Sequence, residues 1–279
     1  MVCSSCGTNN RDGARFCNRC GSALFSDERL RQLDLCFVMD ATGSMRDHID
    51  AARKNLQTLA RKLTAHPLRP YMSYALVLYR DHIGSDRSVV TERFPFSLYL
   101  ADLQLALDST RTKGGGGDGA EAVADGLYDA CYQLKWREHS HKVMLLAGDA
   151  PPHGKGGHKD KFPRGCPCKH DPETVAREAH MRGITVFSLG IGDNSLMAKS
   201  FQQIARCGGG TFVSINSANT LIDQILDIML GEFGKVDIDG TVLAAYRADS
   251  TPQSIAAATG LPIGDVDESM NRLRQKRLI

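Results

Sequence analysis

Near the start of the chain, two Cys-x2-Cys turns, Cys3/Cys6 and Cys17/Cys20, stand ten residues apart. Each turn can aim two thiolates at one ion, and two such turns close a tetrahedral Zn²⁺ site. A glycine follows each turn, Gly7 and Gly21, where the backbone must bend so that amide N–H groups face sulfur. Phe16, Leu24 and Phe25 are the main apolar residues of this stretch. That is too little to fold unaided, so the metal must supply the stability. With four protein ligands the site is structural, and a catalytic redox pair would not need its duplicate.

A second chemistry is carried by oxygen. Asp40, Thr42 and Ser44 lie within five residues, directly after the apolar run 35–39. The glycine-rich segment 114–119 leads through Ala120 to Glu121, and Asp149 follows the apolar run 143–147. Carboxylates and hydroxyls of this kind suit a hard cation such as Mg²⁺, which takes about six oxygens. Taken singly, each has a plainer reading. Asp40 or Ser44 serves as a helix N-cap, Glu121 complements a helix dipole, and Asp149 caps the loop before Pro151-Pro152. Three strand-end loops aimed at one rim favour the cation. Asp47 and Asp118 are candidates for an adjacent second cation, although solvated first-turn carboxylates explain them equally well.

These residues need elements to position them. Strand patterns fall at 35–39, 74–79, 143–147, 184–189 and 211–215. Helical patterns separate them: Ile49, Ala52, Leu56, Leu59, Ala60 and Leu63 share a helical face, and others lie near 98–107, 121–134, 173–181, 197–205 and 220–230. The alternation predicts an α/β fold, a doubly wound, mostly parallel sheet with helices on both faces. Ligands in such sheets bind beyond the carboxyl ends of the strands.

The segment from Leu33 to Gly231 resembles the von Willebrand factor A family. Asp40-Ala41-Thr42-Gly43-Ser44-Met45 is similar to that family's DxSxS motif, with Thr for the first serine. The GGGGDGAEAV segment is similar to its second metal loop in the form that carries a Glu, and Asp149 corresponds to the acid of its third loop. The resemblance implies a metal-ion-dependent adhesion site (MIDAS). Thr42 and Ser44 would bind Mg²⁺, or Mn²⁺ or Ca²⁺, directly, and Asp40, Glu121 and Asp149 directly or through water. A partner's carboxylate would complete the shell. Gly148 departs from the family's pattern, and the second-loop Thr of other branches is absent. The stretch from Cys3 to Leu24 resembles the short zinc-ribbon family (CxxCG, an Asn, then FCxxCG).

Two enzyme readings fail on their residues. A strand ending in Asp also opens haloacid-dehalogenase-type phosphatases, but their general acid two residues on is here Thr42. The glycine run is not followed by Gly-Lys-Ser/Thr, as a phosphate cradle would require. Residues 151–172 form a long polar loop with His153, His158, Cys166, Cys168 and His170. These suit a second zinc chemically, but the spacing is irregular, and a polar rim loop with free thiols is the competing reading. The DAPPHG start of this loop is similar to that of intracellular and kinase-linked A-domain proteins. Cys36, Cys131 and Cys207 read as core thiols.

After Gly231 and Gly234 the pattern changes. A helix is expected over 236–246. A second begins at Thr251-Pro252 with Ile255, Ala256 and Ala258 on its apolar side and ends at Gly260. A third carries Val266, Met270 and Leu273. This resembles the helix-turn-helix of winged-helix modules, with no room before Ile279 for a full wing. From 236 to 279 there are five basic residues (Arg247, Arg272, Arg274, Lys276, Arg277) and six acidic ones (Asp237, Asp239, Asp249, Asp265, Asp267, Glu268). The acids at the start of the third helix would repel phosphates, which favours a protein-binding use.

The whole chain has 279 residues, 34 basic and 32 acidic side chains, and nine cysteines. Its near-neutral balance excludes a global drive toward nucleic acid or anionic lipid. No apolar run reaches the ~20 residues of a membrane span, and the N-terminus lacks a signal peptide's apolar core. A soluble, cytoplasmic protein is expected. The division reads as a zinc ribbon (1–24), a linker (25–32), an A-like domain (33–232) and a helix-turn-helix-like module (233–279). The function expected is a non-enzymatic, metal-dependent adaptor whose partner protein offers an Asp or Glu, by analogy an AAA+ ATPase or a signalling enzyme. The alternative is a nucleic-acid-associated regulator using the ribbon and the C-terminal module, with the A-like domain as recruiter.

Overall fold

The computed structural model describes residues 2–3, 6–11, 14, 16–22, 24, 31–67, 70–82, 89–112, 119–247 and 250–279. Most of the linker (25–30) and of the glycine-rich segment, with Asp118, lie outside the described residues.

Six strands form one sheet in the order β3-β2-β1-β4-β5-β6. They are β1 (Gln32–Asp40), β2 (Tyr71–Tyr79), β3 (Thr91–Ser97), β4 (His141–Gly148), β5 (Ile184–Ile191) and β6 (Gly209–Ile215). All neighbours pair in parallel except β3, which runs antiparallel on the edge beside β2. The five expected strands are present, each longer than its apolar run. The sixth, β3, was not expected. It is half exposed and contains Pro95, which donates no ladder hydrogen bond and therefore fits only an edge. Chain order reverses between β1 and β4, which makes that gap the switch point of the sheet.

Side-chain alternation divides the core. Leu33, Leu35, Phe37 and Met39 of β1 face α1 (Arg46–Thr64), α2 (Leu100–Ser109) and α6 (Ala218–Ala245). Cys36 and Val38 face α3 (Val123–Tyr128), α4 (Pro172–Met181) and α5 (Ser195–Cys207). Cys36 and Cys131 are buried as expected, whereas Cys207 is only half buried, at the end of α5, within reach of Arg177.

The C-terminal boundary differs from expectation. Helix α6 runs unbroken through Gly231 and Gly234, so the division drawn at 232/233 falls inside it. Phe233 is fully buried in the sheet's core, while Val242 and Leu243 of the same helix pack on α7 (Pro252–Thr259) and α8 (Ile263–Gln275). Asp239, 1% exposed, ties α8 to this helix by ion pairs to Arg272 (2.8 Å) and Lys276 (2.7 Å) and by the Ser269 hydroxyl (2.8 Å). The module seats on the start of the sheet, where His139 Nδ1 lies 2.8 Å from the Lys276 carbonyl and Arg277 pairs with Glu138. Among the described residues, no helix is long and apolar enough to cross a membrane.

Candidate metal centres

The N-terminal cysteines converge. Cys3 and Cys20 sulfurs lie 3.6 Å apart, as do those of Cys6 and Cys17, and all four fall within 4.8 Å of one another. Each turn closes in the same way, by Gly7 N–H to the Cys3 carbonyl and Gly21 N–H to the Cys17 carbonyl, both 2.9 Å. Both glycines have φ of 69°, a left-handed conformation that a side chain would strain. Asn10 links the turns, accepting from Asn18 N–H and donating to the Cys17 sulfur. Burial alone would push the Cys17 thiol up. Backbone hydrogen bonds with Cys20 and Arg19, with the Asn10 amide, hold it down instead, at about 6. This is a thiolate cage matched to Zn²⁺. Phe16 turns away to meet Tyr246 at the end of α6, the two rings tilted with their centroids 6.1 Å apart.

The oxygen donors meet at the switch point. Asp40 ends β1, fully buried, and one of its oxygens accepts the Thr42 N–H at 2.7 Å. Its other oxygen, Oδ2, is buried with no hydrogen-bond partner among the described residues. The Thr42 and Ser44 hydroxyls lie 3.3 Å apart on the short turn opening α1, Thr42 buried and Ser44 exposed. Glu121 is held by its backbone, donating to the Pro151 carbonyl (3.0 Å) and accepting from His153 N–H (3.2 Å). This bridge joins the second and third loops of the rim. Half-buried Asp149 completes the group beyond β4.

Electrostatics show how tightly these acids gather. Burial and the neighbouring Asp149 charge push Asp40 up to about 7. The buried phenol of Tyr79 is pushed well above its ordinary value by burial and then by Asp40, Asp149 and Glu121. Its hydroxyl donates to the Ala147 carbonyl at 3.3 Å. A Cβ at position 148 would collide with that hydroxyl, so the phenol occupies the space that Gly148 leaves. An acid oxygen buried without a partner among the described residues, beside two more carboxylates and two hydroxyls, fits a divalent cation. Asp47 is exposed in the first turn of α1.

The loop after Asp149 sorts its residues differently from expectation. His153 is buried between Asp81 (3.0 Å) and Asp160 (3.3 Å). Burial would push it down, but hydrogen bonds to the two carboxylates raise it overall. His158 is exposed, and His170 stacks on Tyr128. Cys166 and Cys168 join His82 and Asp125 instead, the four ligand atoms lying within 4.8 Å of one another. His82, just past β2, and Asp125, in α3, are remote in sequence from the two cysteines and carried no spacing signal. Burial, reinforced by Asp125, pushes Cys168 up to about 11 and Cys166 higher still.

An open, doubly wound sheet with oxygen donors clustered at its switch point defines a class of α/β binding domain. The chain belongs to the von Willebrand factor type A domain family, whose profile matches residues 34–227, and the zinc-ribbon domain profile matches residues 2–24. Alpha-protein kinase vwkA of Dictyostelium discoideum is 31% identical over 138 residues, 48% of this chain and 21% of the kinase. A putative ariadne-like RING finger protein, R811, of Acanthamoeba polyphaga mimivirus is 26% identical over 134 residues, 47% of this chain and 12% of its own length. The chain thus spans a minor part of both curated relatives. Among solved structures, proximal thread matrix protein 1 from the mussel byssus, with a zinc-occupied MIDAS motif, superposes with a TM-score of 0.53 at 18% identity. That match covers 73% of this chain and 47% of that one. The pilus adhesin SpaC from Lactobacillus rhamnosus GG gives 0.53 at 16%, covering 74% and 30%. These likenesses are of fold.

Proposed function

We propose that this chain is a non-enzymatic, metal-dependent protein-binding adaptor. The observation that carries the reading is the buried Asp40 Oδ2, which has no hydrogen-bond partner among the described residues and lies beside the Asp149 charge. Leaving such an atom unsatisfied costs about 1–3 kcal/mol or more, which a bound cation would offset. Asp40, Thr42, Ser44, Glu121 and Asp149 would hold the ion, with Mg²⁺ the first candidate for oxygen donors. The ion supplies a point of attachment for a partner's Asp or Glu. The protein's residues fix where it is offered: Thr42 N–H orients Asp40, and the pairing of Glu121 with 151–153 holds two loops in register. Ser44 is exposed beside this cluster and leaves an approach open. The partner class proposed is a signalling enzyme or AAA+ ATPase that presents an acidic residue. One relative bears a kinase's name, but the shared segment is 21% of that protein, and the enzyme chemistry is not carried over.

The nucleic-acid alternative is disfavoured by the C-terminal helix, where Arg272 and Lys276 are engaged by Asp239 while Asp265, Asp267 and Glu268 are exposed. The test titrates Mn²⁺ into full-length protein followed by electron paramagnetic resonance, then repeats pull-downs with Mg²⁺ or chelator. Wild type should bind Mn²⁺, Asp40→Ala should not, and partner capture should vanish with either chelator or the variant. Capture indifferent to both would sink the reading.

A further inference from the structure

The cluster formed by the long rim loop stands apart from both the ribbon and the oxygen site. His82 Nε2 lies 3.1 Å from Asp125 Oδ2 and 3.1 Å from Cys166 Sγ, and Cys166 Sγ lies 2.7 Å from the same Asp125 oxygen. Cys168 completes a set of four ligand atoms within 4.8 Å. His82 and Asp125 are nine-tenths buried, Cys166 is buried, and Cys168 covers the solvent side. Such a set, two sulfurs with one imidazole and one carboxylate, matches the ligand types and number of a closed zinc site. Tetrahedral Zn²⁺ with ordinary bond lengths sets its ligand atoms about 3.3–3.8 Å apart, so insertion needs shifts of under ~1 Å.

The backbone brings the sulfurs round. Lys169 N–H closes a turn onto the Cys166 carbonyl (2.8 Å), with Lys169 itself in the left-handed region at φ 62°. The single intervening residue, Pro167, therefore does not prevent both cysteines from facing Asp125. Beside the cluster, Asp160 accepts Gly154 N–H (2.6 Å) and Phe162 N–H (2.8 Å), and the Phe162 ring meets the edge of His82. This packing supports the imidazole from outside, as the surroundings of metal-bound histidines generally do.

We propose that His82, Asp125, Cys166 and Cys168 hold a second, structural zinc ion that fastens the 151–172 loop to the end of β2 and to α3. The ion would join the strand end, the helix that follows Glu121 and the loop that follows Asp149. The rim's second and third loops would then be held by a metal rather than by hydrogen bonds alone. This inference does not depend on the proposed adaptor function.

The test measures zinc per chain in full-length protein after dialysis against excess Mg²⁺, which displaces zinc from the oxygen site. Wild type and Asp40→Ala should both retain about two zinc ions, and Cys166→Ser/Cys168→Ser about one. A second measurement leaves the cluster untouched: Cys3→Ser/Cys6→Ser/Cys17→Ser/Cys20→Ser protein loaded with Co²⁺ should still show the visible bands of tetrahedral thiolate coordination. Should the Cys166→Ser/Cys168→Ser variant misfold, the Co²⁺ spectrum decides alone. One zinc in wild type, a second zinc lost with Asp40→Ala but kept in the cysteine variant, or a blank Co²⁺ spectrum would each overturn the proposal.

Discussion

Gly148 stands where the family pattern favours a larger residue, and the structure gives the reason: the Tyr79 hydroxyl fills the space above it. Gly148→Ala forces the phenol or Asp40 aside, an overpacking that typically costs about 1–3 kcal/mol. The variant should melt at lower temperature and bind Mn²⁺ more weakly. Removing the obstructing oxygen, in Gly148→Ala/Tyr79→Phe, should restore part of both losses. Calorimetry of the single and double variants checks this, and additive losses would contradict it. The strand-end places of Asp40 and Asp149 were legible in the sequence because each follows an apolar run, and Glu121 because it closes a glycine-rich loop. His82 and Asp125 were not, because their meeting with Cys166 and Cys168 depends on how the loop folds back, which no local spacing records.

Among the elements, the parallel strands were readable as apolar runs, and β3 was hidden by Pro95 and by its half-exposed pattern. Gly231 and Gly234 pointed to a helix end that the structure lacks. A Cβ at 231, 234 or 240 would meet nothing, so nothing in the packing demands glycine there. Gly234→Ala should therefore stabilise the protein by about 0.5–1 kcal/mol, read as a raised urea midpoint. At the same helix, Glu232 pairs with His141 (2.5 Å) and Lys235 (2.7 Å). Burial would raise its carboxyl, but His141 and Lys235 hold it at about 2, below the ordinary 4.5. A depressed folded-state value adds stability above pH ~4.5 that is lost as the pH falls toward ~2. The full contribution is on the order of 3 kcal/mol. Denaturation at pH 7 and pH 3 should show part of this loss, about 2 kcal/mol, in wild type, and Glu232→Gln should flatten that part of the profile.

For the whole molecule, the ribbon and the three-helix unit make contact through Phe16 and Tyr246, and the latter unit also holds the start of the sheet. The ribbon's cage is self-contained, so Cys17→Ser/Cys20→Ser should unfold it and leave the sheet intact. The one tryptophan, Trp136, reports the sheet region from its contact with Phe96 at 4.7 Å. Its emission and the cooperative unfolding of the remaining chain should persist in that variant. A collapsed melting transition would show that the ribbon is required for the larger domain.

The long helix α6 has a consequence for handling the protein. It starts beside the ends of the strands that carry the oxygen donors and finishes among the accessory units at the other end. At about 1.5 Å per residue, its 28 residues separate the two by roughly 40 Å. A biosensor tether or fluorophore attached to the ribbon would therefore leave the carboxylate-rich face pointing into solution. The same attachment at Lys159, whose carbonyl accepts the Gly119 N–H on that face, would mask it. Comparing the two orientations would give a direct map of which end of the molecule meets its partner.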